Sequence, residues 1–334
     1  MKKYKYSTLA RIVKGFHGKR IIVIGDLLLD QFIWGKVSRI SPEAPVPVVW
    51  VTRDSFMPGG ACNVASNLAE LGAKVSIVGI VGSDEKADIL KSLLREKYIS
   101  TEGIVSDKTR PTILKTRVIA NHQQVVRIDR EDINQVTGKY LEKIKDYLNK
   151  NIKNCDGIII EDYGKGVITP ALLKSVVPLA KKHGKVIAVD PKESHFSYYK
   201  GVSVVTPNHH EAGKAVGFVI DSDKKLSLAG ERLLEKLKAE VILLTLGEEG
   251  MMVFEKGKRP HKIPTVAQEV FDVSGAGDTV IATYILSVVS GASPIIAAHI
   301  ANCAAGIVVG KAGVAVVNKE ELKNKLRQDV VQKR

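Results

Sequence analysis

Short runs of apolar residues recur along this chain, and several of them end at a glycine, an aspartate or an asparagine. The runs are residues 21–24, 75–78, 158–160, 186–189, 202–205 and 241–244. Between most of them, apolar residues recur at the spacing of an α-helix. Continuous apolar runs that alternate with helices predict a parallel sheet covered on both faces. The pattern therefore favours an α/β fold with a mostly parallel central sheet.

Polar residues directly follow these runs, and they are the first candidates for function. They are Asp26, Glu161, Asp162, Asp190, Asn208 and Thr245. Ligands of open α/β sheets bind beyond the carboxyl ends of the strands. These side chains are therefore expected near a ligand.

Two segments, 31–54 and 112–130, depart from this rhythm and predict a small antiparallel sheet beside the main one. The first has a proline-rich centre, and the second has two β-rich runs around residues 121–122. The apolar positions that alternate with polar ones in the second are Val118, Ala120, Val126 and Ile128. Such alternation predicts a hairpin with one buried face. A sheet of this kind can serve as a lid, as a dimer interface, or as both.

Two helices stand out at the ends of the pattern. Leu9, Ile12, Val13 and Phe16 recur at helical spacing and predict an amphipathic helix. The apolar stretch 279–290 is too short to span a bilayer and predicts a buried helix. No signal-peptide core follows the basic N-terminus. We expect one domain over residues 1–334 with no membrane partner.

Among the features of composition, only the net charge and the cysteines bear on function. The 334 residues are 45% hydrophobic and 26% charged, which is ordinary for a packed protein, with a formal net charge of +14. No basic run is interleaved with aromatics, so we favour scattered surface lysines over a nucleic-acid partner. A positive field also attracts anionic substrates. The three cysteines form no C-x-x-C, so spacing suggests neither a zinc site nor a redox pair, and they fit a reducing cytoplasm.

The segment 272–278, Asp-Val-Ser-Gly-Ala-Gly-Asp, carries the strongest chemical signal. Small residues before a helix let backbone N–H groups approach a ligand, and the helix start binds anions. Gly275, Ala276 and Gly277 would then hold a transferring phosphoryl group, and Asp278 would accept a proton from an attacking hydroxyl. A plain glycine turn capped by Asp278 explains the same residues.

A second glycine motif lies at residues 57–63 and opens a predicted helix. Gly59 and Gly60 permit close backbone approach, and Asn63 can bond sugar hydroxyls. An ordinary turn before a helix is the alternative.

Asn208 and Glu211 are three residues apart, on one side of a helical turn. An amide oxygen and a carboxylate so placed can hold hydrated Mg²⁺. A capping box explains the pair equally well, and both can hold together. Residues 244–250 predict a strand end and a glycine turn that meets a nucleotide or forms an ordinary hairpin. The chain has neither a P-loop nor a Rossmann glycine motif.

In combination, the double-glycine motif and the Gly-Ala-Gly-Asp motif resemble the two signatures of the ribokinase-like (PfkB) kinases. The resemblance spans nearly the whole chain. A narrower likeness, in the Ser-Arg-Ile-Ser-Pro-Glu-Ala-Pro stretch at 38–45 and in segments 116–129, 161–166 and 190–192, is to the heptose 7-phosphate kinase branch. That branch is often fused to a nucleotidyltransferase domain with an H-x-G-H motif. The chain ends before any such motif and resembles a free-standing kinase.

The resemblance implies a three-layer sandwich with a small antiparallel lid, ATP and Mg²⁺ as cofactors, and a homodimer through the lid. It implies transfer from MgATP to the anomeric hydroxyl of D-glycero-D-manno-heptose 7-phosphate, in the synthesis of ADP-heptose for lipopolysaccharide. Nucleotide contacts would be Asn208, Glu211, Thr245, Gly247, Asn302 and Lys192. Sugar and phosphate contacts would be Asp30, Arg39, Gly59, Gly60, Asn63, Arg117, Arg127, Asp162 and Lys165.

Two other functions stay open from the sequence. One is a kinase of the same family that acts on ribose, fructose phosphate or adenosine. The other is a non-catalytic regulator that binds nucleotide or nucleic acid, which the basic charge alone suggests.

Overall fold

The computed structural model describes residues 4–121, 123–266, 270–311, 313 and 315–332. Its helices are α1 Tyr6–Lys14, α2 Ala61–Glu70, α3 Glu85–Glu96, α4 Gly138–Asn151, α5 Pro170–Lys182, α6 His209–Val216, α7 Asp223–Leu237, α8 Ala276–Val289, α9 Pro294–Val308 and α10 Lys319–Gln332. Its strands are β1 Arg20–Gly25, β2 Leu27–Ile40, β3 Pro47–Gly60, β4 Lys74–Val81, β5 Ser100–Ser106, β6 Ile113–Ala120, β7 Gln123–Arg130, β8 Gly157–Glu161, β9 Val186–Asp190, β10 Val204–Val205, β11 Val241–Thr245, β12 Met251–Glu255 and β13 His261–Ile263.

Nine strands form the main sheet, in the order β13-β12-β11-β10-β9-β8-β1-β4-β5. From β11 to β5 every neighbouring pair is parallel, and only β12 runs against its neighbours. Each apolar run of the sequence falls on one of these strands, the run 202–205 only in its last two residues, which confirms the predicted parallel sheet. The chain reverses its direction of progress across the sheet between β1 and β8, the kind of place where such folds bind ligands.

Two separate hydrophobic cores cover the two faces of this sheet. On β1, Ile21 and Val23 pack into the core beneath α1, α2, α8, α9 and α10, whereas Ile22 and Ile24 pack into the core beneath α4, α5 and α7. Successive strand residues point to opposite faces, so a strand buried on both sides is apolar throughout. The three-layer α/β prediction is confirmed, as are the amphipathic N-terminal helix and the buried helix α8.

The lid sheet, defined here as β3-β2-β6-β7, stands beside the main sheet. Two antiparallel hairpins, β2–β3 and β6–β7, are joined by a parallel pairing of β2 with β6. β2 begins at Leu27, two residues after β1 ends, and β3 continues to Gly60. The lid strands therefore run directly into the glycine motif, several residues beyond the predicted limits.

The predicted buried face of the β6–β7 hairpin is present on β6 but not on β7. Val118 and Ala120 are buried as predicted, but Val126 and Ile128 on β7 are 46% and 56% exposed. β7 is an edge strand and is exposed along its whole length. His122, in the turn of this hairpin, lies outside the described residues. Within the described part of the chain, no helix is both long and apolar enough to cross a bilayer.

Candidate active site

Three acidic residues lie side by side at the carboxyl edge of the main sheet. Strand register aligns Gly25, Glu161 and Asp190 on β1, β8 and β9, and Asp26 directly follows the first of them. Parallel strands bring their carboxyl ends to one edge, so residues far apart in sequence meet there. Asp278 joins this group from the start of α8, and one carboxylate oxygen each from Glu161, Asp190 and Asp278 lie within 4.8 Å of one another.

The start of α8 has the geometry that the glycine motif predicts. Gly275 is its N-cap with φ of 78°, a left-handed conformation that glycine adopts without strain. The Ala276 N–H donates to the Val273 carbonyl at 3.2 Å, and the Thr279 N–H donates to Gly275 at 3.1 Å. Between them lie Gly277 and Asp278, whose N–H groups belong to the first turn, where a helix has no internal acceptors. This turn can bind an anion.

Asp278 is buried and held by two donors. The Asn63 amide donates to Oδ2 at 2.5 Å, and the Tyr163 hydroxyl donates to Oδ1 at 3.2 Å. Burial raises the pKa of Asp278 to about 6, although these two hydrogen bonds act to lower it. The carboxyl group is therefore ionised at neutral pH but close enough to its pKa to take up a proton.

A polar network fixes helix α2 against helix α8. The Asn67 amide donates to the Asn63 carbonyl at 3.0 Å, and the Thr279 hydroxyl donates to Asn67 Oδ1 at 3.0 Å. All of these side chains are buried. The network sets the position of Asn63, and through it the orientation of the Asp278 carboxylate.

Glu161, which is buried, and Asp190, which is half-buried, form a carboxyl pair behind Asp278. Burial raises the pKa of Glu161 well above its usual value, and the charges of Asp190 and Asp278 raise it further. Burial also raises the pKa of Asp190, to about 8. Like charges so close oppose the ionisation of both groups, and the hydrogen bond between Glu161 and Asp190 raises the pKa of Glu161 further. Glu161 Oε2 has no hydrogen-bond partner among the described residues.

Asp26 and Asp162 support the loop after β8. Asp26 accepts the N–H groups of Tyr163, Lys165 and Val167 at 2.9–3.1 Å. Asp162 accepts the Gly164 N–H at 2.8 Å and the Tyr199 hydroxyl at 2.7 Å, and its side chain is 0% exposed. We therefore reassign Asp162. It supports the loop after β8 instead of contacting the sugar, since its oxygens already have protein partners.

Asp30, Gly59 and Gly60 form a polar wall where the lid sheet meets the main sheet. Asp30 pairs with Arg117 across β2 and β6, and this guanidinium also lies over the Phe32 ring at 5.4 Å. A Cβ at Gly59 would lie 2.1 Å from Asp30 Oδ2, so the carboxylate occupies the space that glycine leaves. Three of the predicted sugar contacts, Asp30, Gly59 and Asn63, thus lie around the space beside Asp278, whose pKa the charge of Asp30 also raises.

The predicted phosphate-binding cations are not all at this wall. Arg117 is, and Lys165 lies nearby in a 2.5 Å ion pair with Glu131. Arg127 is exposed and paired with Asp129 on its own strand at 2.9 Å. Arg39 is exposed near the far end of β2, roughly 30 Å along an extended strand from Asp30. At that distance, Arg39 cannot contact a sugar bound at the polar wall of its own chain.

Asn208 and Glu211 form the capping box that the sequence left as an alternative. Asn208 Oδ1 accepts the His210 and Glu211 N–H groups at 2.9 and 3.0 Å, and Glu211 Oε2 accepts the Asn208 N–H at 2.9 Å. Asn208 Oδ1 is thus occupied by two backbone donors, and Glu211 Oε2 by one. Burial raises the pKa of Glu211, which the nearby Lys192 ammonium partly offsets.

The remaining predicted nucleotide contacts lie along the same edge. Thr245 ends β11 and pairs with Asn208, and Gly247 follows in a tight turn with φ of 58°. This turn links β11 to β12, so the predicted hairpin is present. Asn302, on α9, donates to the Pro264 carbonyl at 2.8 Å. Asn302 therefore fixes the segment after β13 and has its amide already engaged.

Comparisons with known proteins agree with this geometry. A profile of the pfkB family carbohydrate kinases matches residues 19–321. The chain is 45% identical over 316 residues to the bifunctional protein HldE of Desulfatibacillum aliphaticivorans, covering 95% of this chain and 65% of that protein. It is 47% identical over 301 residues to HldE of Geobacter sulfurreducens, covering 90% and 61%. The chain thus spans slightly less than two thirds of these relatives.

Solved structures show the same fold at low identity. Ribokinase of Arabidopsis thaliana, in complex with ribose and ATP, matches with a TM-score of 0.73 at 18% identity, covering 93% of this chain and 99% of that one. Phosphofructokinase-2 of Escherichia coli, in complex with potassium, matches with a TM-score of 0.77 at 17% identity over 93% and 99%. The ribokinase-like fold that the motifs predicted is confirmed.

Proposed function

Because this chain belongs to the pfkB family of carbohydrate kinases, we propose that it transfers the γ-phosphoryl group of ATP to the anomeric hydroxyl of D-glycero-D-manno-heptose 7-phosphate. The sequence segments that resemble heptose 7-phosphate kinases support this acceptor, as does the identity of about 45% to HldE proteins. The product is the 1,7-bisphosphate, which fits the synthesis of activated heptose for lipopolysaccharide.

The position of Asp278 is the observation that carries the proposal. Its carboxylate lies in the first turn of α8, beside amides that can bind a phosphoryl group, and next to the polar wall of Asp30 and Gly59. A base, an anion-binding turn and a hydroxyl-binding wall thus meet at one point. That is the set of groups that phosphoryl transfer to a sugar hydroxyl needs.

The reaction follows from these positions. The anomeric O–H gives its proton to Asp278 while its oxygen forms a bond to the γ-phosphorus. The bond between that phosphorus and the β–γ bridging oxygen breaks, and ADP leaves. The N–H groups of Gly277 and Asp278 stabilise charge on the transferred group, since positioning and electrostatics dominate such catalysis.

The residues present fit a magnesium ion at this edge. Glu161 and Asp190 are hard oxygen ligands, and Glu161 Oε2 is buried without a hydrogen-bond partner among the described residues. Glu211 would contribute through water, and Lys192 is near enough to Glu211 to meet the same phosphates. A bound Mg²⁺ supplies positive charge that screens the phosphate oxygens.

The substrate phosphate requires cations on the wall opposite Asp278. We assign it to Arg117 on β6 and Lys165 in the loop after β8, which are 26% and 18% exposed. A guanidinium binds phosphate through two parallel hydrogen bonds. Arg127 is on the strand next to Arg117 and directly opposite it, so a small side-chain movement brings it to the same anion.

A panel of acceptors tests the substrate. We expect release of ADP from MgATP with heptose 7-phosphate at a kcat/KM at least about 100-fold above that with sedoheptulose 7-phosphate, fructose 6-phosphate, ribose or adenosine. Preference for another acceptor would reject heptose 7-phosphate as the substrate, whereas membership of the pfkB family would still hold. No turnover with any acceptor, together with salt-dependent DNA binding, would favour a regulator instead.

We further propose that two copies associate through the lid sheet. Its strands expose Ile40, Trp50, Val51, Val126 and Ile128, and Trp50 is 76% exposed. Large exposed apolar patches mark interaction sites. Sedimentation equilibrium should give a dimer for the wild type and a monomer for Trp50→Glu. A wild-type monomer at micromolar concentration would exclude this contact.

A further inference from the structure

A second cluster of ligand-type side chains lies between the last two helices. It consists of His299 and Cys303 on α9 and Asp329 on α10. Their exposed fractions are 5%, 0% and 6%. One ligand atom from each lies within 4.8 Å of the other two. The proposed kinase chemistry uses none of the three.

We propose that these three side chains bind a zinc ion that fastens the C-terminal helix to the body of the protein. His299 and Cys303 are four residues apart, so they project from one face of α9. An imidazole, a thiolate and a carboxylate are the ligands that zinc takes in proteins. The third ligand comes from a different helix, so the spacing of the cysteines alone could not indicate the site.

The distance between the His299 and Asp329 side chains agrees with zinc coordination geometry. His299 Nε2 and Asp329 Oδ2 are 3.3 Å apart. Two ligands bound to zinc at ordinary bond lengths and a tetrahedral angle are about 3.4 Å apart. That spacing leaves room for the ion between them, with a water molecule or another donor in the fourth position.

Charge balance in the interior supports the same ion. As zinc ligands, the Cys303 thiolate and the Asp329 carboxylate together carry two negative charges, and buried charge is costly unless it is compensated. A divalent cation brings the sum to zero with neutral histidine. Oxygen-preferring ions such as Mg²⁺ do not favour thiolate and imidazole, whereas zinc is suited to both.

The location indicates a structural role. Helix α10 packs on α9 and on α1, with Leu322 and Leu326 buried, and the Tyr4 ring lies 5.4 Å from the His299 ring. A metal at this point ties α9 to α10, and the N-terminal segment packs against its histidine ligand. Metal binding to the native state adds its binding free energy to stability.

Metal analysis of the purified chain tests the proposal. We expect one zinc ion per chain, a fall of several degrees in the melting temperature when a strong chelator removes it, and recovery when zinc is returned. Cys303→Ser and His299→Gln should each weaken zinc binding by more than about 100-fold, beyond what changes outside the ligand shell cause. Their melting temperatures should no longer respond to chelator. Cys155→Ala, at a buried cysteine outside the cluster, should bind zinc as the wild type does.

Cobalt substitution provides a readout that does not depend on stability. Co²⁺ bound by Cys303 should give a thiolate charge-transfer band that is absent in Cys303→Ser, whereas carboxylates at the kinase site give no such band. Substoichiometric zinc in the wild type, or equal zinc affinity in Cys303→Ser, would overturn the proposal. Neither result depends on kinase activity, so the zinc site and the proposed function fail separately.

Discussion

Asp278→Asn is expected to lower kcat by about 10²–10⁴-fold, the range that a positioned general base contributes. The asparagine keeps the size of the side chain and an oxygen for the Asn63 amide, but it cannot accept the anomeric proton. Stability should change little, because the fold around α8 is unaltered. Steady-state ADP release measures the effect. Asp156→Asn makes the same chemical change at the opposite edge of the sheet, where Asp156 caps the Arg20 N–H, and should keep kcat near that of the wild type.

The pH profile distinguishes a lost base from a distorted site. Burial raises the pKa of Asp278 to about 6, and the ionised form is the active one. The wild-type rate should therefore rise between pH 5 and 7 and then level off. Phosphate groups of the substrates also titrate near 6, so their contribution remains in the asparagine variant. A variant with a near-normal rate, or with an unchanged acid limb, would show that Asp278 is not the base.

Gly60→Ala is expected to destabilise the protein by about 2–5 kcal/mol, through backbone strain and overpacking together. Gly60 has φ of 57° and ψ of −134°. A Cβ there would lie 2.7 Å from the Asp26 carbonyl oxygen and 1.8 Å from Leu28 Cδ1. The Leu28 side chain can move, but the Asp26 backbone is fixed by its hydrogen bond from Ala61. Urea unfolding measures the loss of stability.

Gly184→Ala separates the two causes of that loss. Gly184 has φ of 62°, close to that of Gly60, but nothing lies within 4 Å of the position that its new methyl group would take. It should therefore cost only the backbone strain, about 1–3 kcal/mol. If both substitutions cost the same, neither the crowding at Gly60 nor its ψ of −134° adds to the cost of a positive φ.

The sequence predicted the parts of the site that lie within one motif. Glycines before a helix led to Gly275 and Asp278, and the double glycine led to Asn63, because local conformation decides these features. Glu161 and Asp190 were recognised as strand-end residues but not as a pair. Their pairing depends on strand register, which a single sequence does not reveal.

Other differences between prediction and structure arise from distances along extended strands and from surfaces that a single chain leaves exposed. Arg39 and Asp30 are close in sequence, yet an extended strand separates them, so sequence proximity was misleading. Tyr163 lies in the segment 161–166 that carries the family resemblance, but a lone tyrosine after a strand has no motif that points to a carboxylate. The apolar alternation on β7 predicted a buried face. That prediction holds only if a second copy of the chain covers β7. Burial by a partner has the same pattern as burial within one chain.

The position of the new phosphate on the product tests the central claim most directly. Wild-type protein, MgATP and D-glycero-D-manno-heptose 7-phosphate should give a compound with two phosphorus resonances, one of them coupled to the anomeric proton. That result would establish transfer to the anomeric oxygen. A second phosphate on any other carbon, or no second phosphate under conditions in which another sugar is phosphorylated, would contradict it.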